Sequence, residues 1–584
     1  MAPFRNASAF LITLSLLIIA FHTRITMPWN TNDHLQHCDN PRKASRTKAN
    51  VVLGGLFPVH ALYNDVEKHY FDLNLYAVTW VEAMMFAVDE INNSTNLLEN
   101  FSLGFDIRDT CNEVPRALME CLEFLLDAPS VKRGTVEKPS LNYQKSINST
   151  EEKDSFCKCT NSTPRISAVI GGAASPISTN VATVLGVNKI PQISYSSTSA
   201  LLSDKQSYPS FLRTIPSDLY QAKAIADLLM EFGWNYVSII ASDNTYGRSG
   251  MDALRSELKL RKICTAVEAV FHPSLIKKEL DRIIISLKEN PRASTIVLWC
   301  QRPNAVGFLQ EVTKQNLKER NWIGTETWGD AYQIQELDSK TVRGMIGIVP
   351  RLENNERFEK HIAQLNPQNS GHNPWMREYW EGEFACSWKT FTDSAIINST
   401  ALKEHYYIYS YLSDIGENVT VLCPKQRGLP SASKLPRNKY TNVIDAVYAV
   451  AIGIGNMLKC KDGSGLLEDE KCPQTIPFIK PSELLLYIRN VSFVGQSGNR
   501  VMFSNDGDPV YGSYAIKNLQ QDNKKGKMKF VEIGVWSGNT RRLKLFDNVS
   551  IQWNTETNDA PPNSRCEDIC PPGEYVVNGS NSCC

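Results

Sequence analysis

Short apolar runs alternate with helical patterns along the middle of the chain. The apolar run at residues 51–57 predicts a buried strand, and residues 79–91 repeat apolar positions with a helical period. Further strands are predicted at 166–170, 192–195, 236–241, 263–270, 295–300 and 321–324, and helices at 219–232, 250–260, 275–288 and 304–316. This alternation predicts an α/β fold with parallel sheets covered by helices. Its length favours two doubly wound lobes, with ligands at the carboxyl ends of the strands.

The segment from residue 170 to residue 250 contains most of the candidate binding groups. Two predicted strands run into turns rich in serine and threonine, and a third ends at Asp243-Asn244-Thr245-Tyr246-Gly247. Turns between strands and helices collect backbone N–H groups without partners, and these attract anions. Together with hydroxyls, a carboxylate and an aromatic ring at one sheet edge, they suit a small zwitterion.

The remaining segments are less regular. Residues 129–164 are polar and predict a long surface loop, residues 354–436 are predicted to be irregular, and residues 441–458 return to a helical pattern. Beyond residue 561 the chain becomes rich in cysteine.

The N-terminus predicts export. Arg5 precedes an apolar run at residues 9–21, which is the length of a signal-peptide core and short for a membrane span, so residues 1–26 are predicted to be a signal peptide. An uncleaved anchor is the alternative, because no small-residue cleavage site stands out. Fifteen cysteines agree with an extracellular glycoprotein. So do glycosylation sequons at Asn92, Asn93, Asn100, Asn148, Asn161, Asn398, Asn418, Asn490, Asn548 and Asn578.

Composition and motifs argue against several functional classes. Lys+Arg and Asp+Glu are equal at 62 each, so no basic field indicates nucleic-acid binding. The chain has no phosphate-binding P-loop, no His-Glu-x-x-His and no Gly-x-Ser-x-Gly, and its nine histidines lack metal-ligand spacing. An enzyme therefore has no support from the sequence.

Five stretches carry a family resemblance. They are IPQISYSSTS at 190–199, FLRTIPSD at 211–218, TYGRSG at 245–250, GTETWGD around Trp328, and Asn373-Pro374-Trp375. With them, the chain from about residue 51 onwards resembles the bilobed Venus-flytrap ectodomain of class C G-protein-coupled receptors, the group of metabotropic glutamate and calcium-sensing receptors. The resemblance implies lobe 1 at residues 48–213 and 352–505, lobe 2 at 214–351 and 506–556, and the start of a cysteine-rich module at 561–584.

The resemblance implies that lobe 1 holds the backbone carboxylate of an α-amino acid. Ser175 matches the serine that binds this group beside a helix N-terminus, and Thr198 with Ser196 matches the second contact. A plain helix-capping role is the alternative for Ser175, and a turn hydroxyl is the alternative for Thr198. Tyr76 matches a residue that lines the same cleft.

Three residues of lobe 2 are implied to receive the ligand's ammonium group. Asp218 and Glu326 match the acidic residues, and Tyr246 matches the tyrosine whose face covers the ammonium. Helix capping is the alternative for Asp218, and a core position is the alternative for Tyr246.

The distal part of the pocket departs from the family pattern. Trp80 stands where the glutamate receptors have an arginine, and Ala331 replaces a second basic residue, whereas Lys439 matches the remaining one. A carboxylate held by one lysine and an apolar or aromatic side chain beside Trp80 are both consistent with this set.

The resemblance also implies a disulfide pattern. Cys157 and Cys159 would link two protomers, and within one chain Cys386 would pair with Cys423, Cys460 with Cys472, Cys264 with Cys583, and Cys566 with Cys584. Cys111 lacks its usual partner, so Cys38 or Cys121 is expected to substitute. Cys570 would pair beyond Cys584, which implies a truncated chain. Cys300 is expected to be a free thiol in the core.

These expectations describe a disulfide-linked dimeric receptor ectodomain, either homodimeric or heterodimeric, that closes on an amino acid. It would face the extracellular side of the plasma membrane and activate a G protein through membrane helices outside this chain. The alternatives are a secreted carrier that binds the ligand without signalling, and a calcium-gated sensor in which Glu326 and Asp218 take cations. No cofactor is expected, with calcium or chloride open as a co-ligand.

Overall fold

A computed structural model describes residues 44–566 of the chain. Within that span it leaves out residues 48, 65–68, 95, 99–100, 126–165, 367–368, 371, 385–438, 462, 474–478, 511, 523–525 and 556–559. The predicted signal peptide, the Cys157–Cys159 segment, Cys386, Cys423, and Cys570 to Cys584 therefore lie outside the described residues.

The strands of lobe 1 form a mainly parallel sheet and two hairpins. The strands are β1 (Ala44–Arg46), β2 (Val51–Phe57), β3 (His60–Asn64), β4 (His69–Leu73), β5 (Leu103–Asp109), β6 (Ala168–Gly171), β7 (Gln192–Ser194), β8 (Phe211–Arg213), β14 (Ser492–Val494) and β15 (Arg500–Met502). The sheet order is β1-β5-β2-β6-β7-β8, and β1 is antiparallel to β5. The pairs β3–β4 and β14–β15 form the antiparallel hairpins.

Lobe 2 is built on a separate, larger sheet. Its strands are β9 (Tyr236–Ser242), β10 (Cys264–Phe271), β11 (Thr295–Trp299), β12 (Asn321–Gly324), β13 (Ile346–Pro350), β16 (Ser513–Gln521), β17 (Met528–Ser537) and β18 (Arg542–Leu545), in the order β10-β9-β11-β12-β13-β16-β17-β18. The first five in this order are parallel, and the last three add antiparallel pairs.

Helices cover both sheets. Lobe 1 has α1 (Leu75–Asn92), α2 (Val114–Leu125), α3 (Ser175–Val187), α10 (Glu356–Gln364), α11 (Pro374–Phe384), α12 (Tyr440–Leu458) and α13 (Pro481–Arg489). Lobe 2 has α4 (Asp218–Glu231), α5 (Thr245–Leu260), α6 (Lys277–Glu289), α7 (Arg302–Lys314), α8 (Tyr332–Gln335) and α9 (Ser339–Val342). Short 3₁₀ turns lie at Ala200–Ser203 and Glu468–Glu470. The chain passes between the lobes after β8, after β13 and after β15.

Each lobe buries its own apolar core. The core of lobe 1 joins α1 and α12 to β2 and to the aromatic residues of α11, whereas the cores of lobe 2 lie on the two faces of its sheet. Within the described part of the chain, α12 is the one helix long and apolar enough to cross a membrane, and 78% of its apolar window is buried. Burial of that kind is what a core helix of a soluble domain shows.

The predicted α/β fold with two doubly wound lobes is confirmed. β2 and β12 have the predicted ends, and α5 begins at Thr245, five residues before its predicted start, because the Asn244 side chain accepts a hydrogen bond from the N–H of Gly247. The prediction of irregular structure across 354–436 was wrong for the described part of that range. Helices α10 and α11 form there, because Phe358, Trp375 and Trp380 pack into the core of lobe 1.

The described cysteines follow much of the predicted pattern. Cys460 and Cys472 form a disulfide, and Cys300 is a buried free thiol. Cys264 and Cys566 are disulfide-bonded, with partners outside the described residues, as is Cys111. The suggestion that Cys121 pairs with Cys111 was wrong, because Cys121 is a free thiol buried in lobe 1 against apolar neighbours.

Four of the predicted glycosylation sites lie in the described residues. Asn92, Asn93, Asn490 and Asn548 are all exposed. The Asn92 side chain exchanges two hydrogen bonds with the backbone of Leu103, at 2.8 and 2.9 Å, so Asn93 is the freer acceptor of that overlapping pair. Glycosylation at these positions stays a prediction.

Candidate ligand-binding cleft

Ser175 lies where β6 of lobe 1 passes into α3. It is the first residue of the helix, and Ala174 occupies the capping position, so the capping alternative does not hold. The buried Ser175 hydroxyl accepts a hydrogen bond from the N–H of Ser199 at 3.2 Å, which leaves its own proton available for donation. Since the N-terminus of α3 carries partial positive charge, this corner of the cleft suits a carboxylate.

The serine-rich loop after β7 reaches toward lobe 2. The Thr198 hydroxyl donates to Oε1 of Glu326 at 3.3 Å, so it joins the two lobes and is not a local turn hydroxyl. The Ser196 hydroxyl accepts from Nζ of Lys439 at 3.2 Å. Thr198 and Lys439 are buried, and the lobes are therefore closed on each other at this point.

Two acidic side chains of lobe 2 are buried on the opposite wall. Asp218 begins α4, and Ser217 fills the capping position, so the capping alternative for Asp218 does not hold either. Neither carboxylate oxygen of Asp218 has a hydrogen-bond partner. Glu326 accepts from Thr198 and lies 2.9 Å from the hydroxyl of Tyr246, which is also 2.9 Å from Thr325.

This arrangement disfavours negative charge at Asp218. Burial raises the pKa of Asp218 well above its usual range, and the neighbouring charge of Glu326 raises it further. A hydrogen bond from Thr198 would lower that pKa, but the single proton of Thr198 is donated to Glu326. A cation placed between Asp218 and Glu326 would offset the repulsion between the two carboxylates and favour the charged form of Asp218.

The distal end of the cleft combines aromatic rings and cations. Tyr76 and Trp80 lie on α1 with ring centroids 6.4 Å apart, and Trp80 packs edge-on against Tyr195 at 5.2 Å. The guanidinium of Arg302, which begins α7 in lobe 2, lies 4.0 Å from the centroid of the Tyr76 ring. Burial raises the pKa of Tyr76 to about 12, although the charge of Arg302 opposes the rise.

Lys439 is the second cation at this end. Burial lowers the pKa of Lys439, while the charges of Glu326 and Asp330 raise it and that of Arg302 lowers it. Asp330 is paired with Lys517 at 2.7 Å, and the neighbouring Ala331 is buried at the start of α8. Arg302 of lobe 2 thus lies close enough to Lys439 of lobe 1 for its charge to affect the pKa of that lysine.

The predicted contact residues form one connected set across the cleft. Their role as ligand contacts stays a prediction. Sequence reasoning missed Arg302; its signal is its place directly after the buried strand β11, at the sheet edge where ligands bind. The described residues hold no group of three or more His, Cys, Asp or Glu side chains arranged for a metal ion. A small cavity of about 20 Å³ lies at the hinge beside Thr214, Pro350 and Gly512, and none of the predicted contact residues lines it.

Similarity to known proteins assigns this chain to a family. Residues 79–522 match the family described as "Receptor family ligand binding region". The chain belongs to this family. It is 30% identical to the extracellular calcium-sensing receptors of Sus scrofa and Homo sapiens over 580 residues, which cover 96% of this chain and 51% of each relative. It is 32% identical to metabotropic glutamate receptor 8 of Homo sapiens over 582 residues, which cover 96% of this chain and 56% of the relative.

The predicted resemblance to a class C receptor ectodomain is confirmed by these matches, and the relatives are receptors and not enzymes. The chain spans about half the length of the curated relatives it matches. An extracellular location agrees with the relatives and with the disulfide between Cys460 and Cys472.

Proposed function

We propose that this chain binds an α-amino acid between its two lobes. The observation that carries the proposal is the pair Asp218 and Glu326, which are both buried, while Asp218 has no hydrogen-bond partner. An ammonium group brings a positive charge and three N–H donors, and the Asp218 carboxylate has no donor of its own. The Tyr246 hydroxyl would keep Glu326 in place beside it.

The ligand would bind lobe 1 first and then draw lobe 2 onto itself. Its carboxylate would take the free proton of Ser175 and the N–H groups at the start of α3. Closure then adds Asp218, Tyr246 and Glu326, which contact the amine only in the closed state. Because the closed form makes more contacts, the ligand shifts the population toward it.

The distal cations favour an acidic side chain in the ligand. Lys439 alone would give a buried carboxylate of the ligand only one positively charged partner. Arg302 supplies a second cation from the other lobe. A planar guanidinium also binds carboxylates in a bidentate manner. This favours a dicarboxylic amino acid over the apolar ligand that Trp80 alone would suggest.

Arg302→Gln is expected to lower affinity for aspartate or glutamate about tenfold, and to change affinity for alanine by less than about twofold, because one charge-assisted hydrogen bond is lost only with an acidic side chain. Titration calorimetry with both classes of ligand measures this. Arg248→Gln, at an exposed arginine of α5 paired with Asp243, is the control and should change neither affinity. Equal losses for alanine and glutamate would contradict the assignment.

Calcium is the second candidate ligand of the same site. The names of several relatives point to calcium sensing, and Asp218 and Glu326 offer carboxylate oxygens. Calcium ordinarily takes six to eight oxygen ligands, whereas these two carboxylates offer four oxygens, and both oxygens of Glu326 already accept hydrogen bonds. These observations favour the ammonium group at this position and leave calcium as a co-ligand elsewhere.

The test is thermal melting of the secreted protein against the twenty amino acids, each with and without calcium. An amino acid at 100 times its Kd stabilises the fold by about 2.7 kcal/mol, which shifts the melt measurably. A shift with acidic amino acids that Ser175→Ala removes supports the proposal. A shift with calcium alone, and with no amino acid, would favour the second candidate.

We further propose that the chain works as a dimer within a longer receptor. Cys157 and Cys159 would link the protomers, and closure would activate a G protein through membrane helices, as in the predicted receptor class. A secreted carrier that binds the ligand without signalling is the alternative. Reporter signalling from the full-length transcript product, compared with this chain alone, separates the two.

A further inference from the structure

Arg213 is a fully buried arginine at the hinge. It ends β8, the last strand of lobe 1 before the chain first crosses to lobe 2. Its Nε donates to Asp508 at 2.7 Å, and its Nη2 donates to the Ser203 hydroxyl at 2.7 Å. Its Nη1 donates to the carbonyl oxygens of Ser197 at 3.2 Å and Ser199 at 2.9 Å.

Asp508 lies on the third connection between the lobes. Its second oxygen accepts from the Ser203 hydroxyl at 2.8 Å, and the preceding carbonyl of Gly507 accepts from the N–H of Arg213 at 3.1 Å. Gly507 has a φ of +69°, and a Cβ there would lie 2.5 Å from the carbonyl oxygen of Phe211. The turn before the third connection therefore packs closely on the strand that leads into the first.

The carbonyls that Arg213 holds flank Thr198. The carbonyl of Thr198 itself accepts from the N–H of Asp218 at 2.8 Å, at the end of the first connection. Three successive carbonyls of the ligand loop, at residues 197 to 199, are thus held by the segment 213–218. The loop's position depends directly on the hinge.

We propose that Arg213 is a positioning residue that ties the Thr198 loop to the hinge, with Asp508 as its anchor. The proposal deepens the proposed function, on which it rests, because the loop matters only if it contacts a ligand. When the lobes move, the third connection moves Asp508, and Arg213 passes that movement to the two carbonyls beside Thr198. Binding geometry and lobe angle are coupled through one side chain.

The chemistry of arginine suits this role and that of lysine does not. A guanidinium presents five N–H donors in a rigid fork, so it can hold a carboxylate, a hydroxyl and two carbonyls at once. A lysine at this site keeps the charge but supplies three donors from one point. Arg213→Lys is therefore expected to keep the ion pair with Asp508 and to lose the hydrogen bonds to the carbonyl oxygens of Ser197 and Ser199.

The test compares Arg213→Lys and Asp508→Asn with Arg108→Lys. Arg108 is an equally buried arginine of lobe 1, bonded to Asp106 and Glu120. It lies on β5, four strands from β8, or about 19 Å at ordinary strand spacing. Arg108→Lys is therefore expected to lower stability about as much as Arg213→Lys does, at a place remote from the Thr198 loop.

Two readouts are taken at a temperature where all variants are folded. The first is hydrogen exchange of the Ser199 amide, which is expected to speed up about tenfold in Arg213→Lys and Asp508→Asn and to stay unchanged in Arg108→Lys. The second is amino-acid affinity, expected to fall about tenfold in the same two variants. The double variant should lose no more than the larger single loss, because the two residues act as one unit.

The outcomes separate the two proposals. If Ser199 exchange is unchanged in Arg213→Lys, or changes equally in Arg108→Lys, the positioning role is wrong, whatever the ligand. If exchange responds as expected and affinity does not, the loop is tied to the hinge but does not set binding, and the proposal is likewise overturned. If the wild-type protein binds no amino acid at all, the proposed function fails, and the positioning role fails with it.

Discussion

Asp218→Asn is expected to stabilise the unliganded protein and, at the same time, to weaken amino-acid binding severely. The carboxylate it replaces is fully buried, has no hydrogen-bond partner and lies beside Glu326. Removing that uncompensated acid should raise the free energy of unfolding by about 1–3 kcal/mol at pH 7. Losing the partner of the ligand's ammonium should lower affinity by about 30-fold or more. Chemical denaturation and calorimetry measure the two effects.

The raised pKa of Asp218 makes the stability of the wild-type protein depend on pH. A carboxyl whose folded-state pKa exceeds its ordinary value of 3.8 binds its proton more tightly in the folded state. Stability of the unliganded wild-type protein therefore falls as pH rises above 3.8, by up to about 1.4 kcal/mol per pH unit from this group. A bound ammonium displaces the proton, so affinity should rise with pH. Asp218→Asn should lose both dependences.

Asp227→Asn is the matched control, because Asp227 lies on the same helix and is fully paired. It accepts from Arg261 at 2.6 Å and from the indole N–H of Trp536 at 2.8 Å. Its replacement should lower stability and leave affinity unchanged, the reverse of Asp218→Asn. An Asp218→Asn protein that is less stable than wild type and binds amino acids normally would show that Asp218 is an ordinary structural acid.

The largest loss of stability is expected from His60→Ala, because it breaks a charged triad in lobe 1 in which His60 and Asp109 are buried and Glu378 is partly buried. Nδ1 of His60 lies 2.5 Å from Asp109, and Nε2 lies 2.8 Å from Glu378 on α11. Asp109 also accepts from the backbone N–H groups of Val59 and Cys111. Removing His60 leaves the buried Asp109 charge without an opposite charge beside it, which costs about 3–5 kcal/mol. Urea denaturation of wild type and variant gives the difference.

The same residue predicts a dependence on alkaline pH. Burial lowers the pKa of His60, but the hydrogen bonds and charges of Asp109 and Glu378 outweigh it and raise the pKa to about 10. The stabilisation is therefore complete below the unfolded value of 6.5 and is lost as pH rises toward 10, at about 1.4 kcal/mol per unit. His60→Gln should remove this slope. The exposed His272→Gln should keep it, and an unchanged slope in His60→Gln would refute the assignment.

The elements that the sequence predicted well are those whose pattern is local. β2 is a run of apolar residues and glycines between Asn50 and Pro58, and β12 is a short Trp-Ile segment that ends before the polar Thr325, so their ends could be predicted directly. The helices α10 and α11 were missed because they carry mixed polar and aromatic residues. Their helical state depends on Phe358, Trp375 and Trp380 packing into a core assembled from distant parts of the chain.

The residues of the cleft likewise fall into those that the sequence could predict and those that it could not. Thr198 and Tyr246 lie in two of the family-specific strings, and Ser175 matches the family at the turn between a strand and a helix, so their place could be predicted by resemblance. Arg302 was missed, because its position after β11 marks only the ligand edge of the sheet, and its importance arises from a contact with Tyr76 across the two lobes. The unpartnered state of Asp218 and the tie from Arg213 to Asp508 are likewise properties of the folded hinge.

The most direct measurement is calorimetric titration of the wild-type protein with glutamate and with its 2-hydroxy analogue, which replaces the ammonium by a hydroxyl and keeps both carboxylates. The amino acid is expected to bind about 30-fold or more tightly than the hydroxy acid, since only the amino acid has an ammonium group for Asp218 and Glu326. Asp218→Asn is expected to reduce this ratio of affinities. Equal binding of the two ligands by the wild-type protein would show that the buried acidic pair does not receive the ammonium.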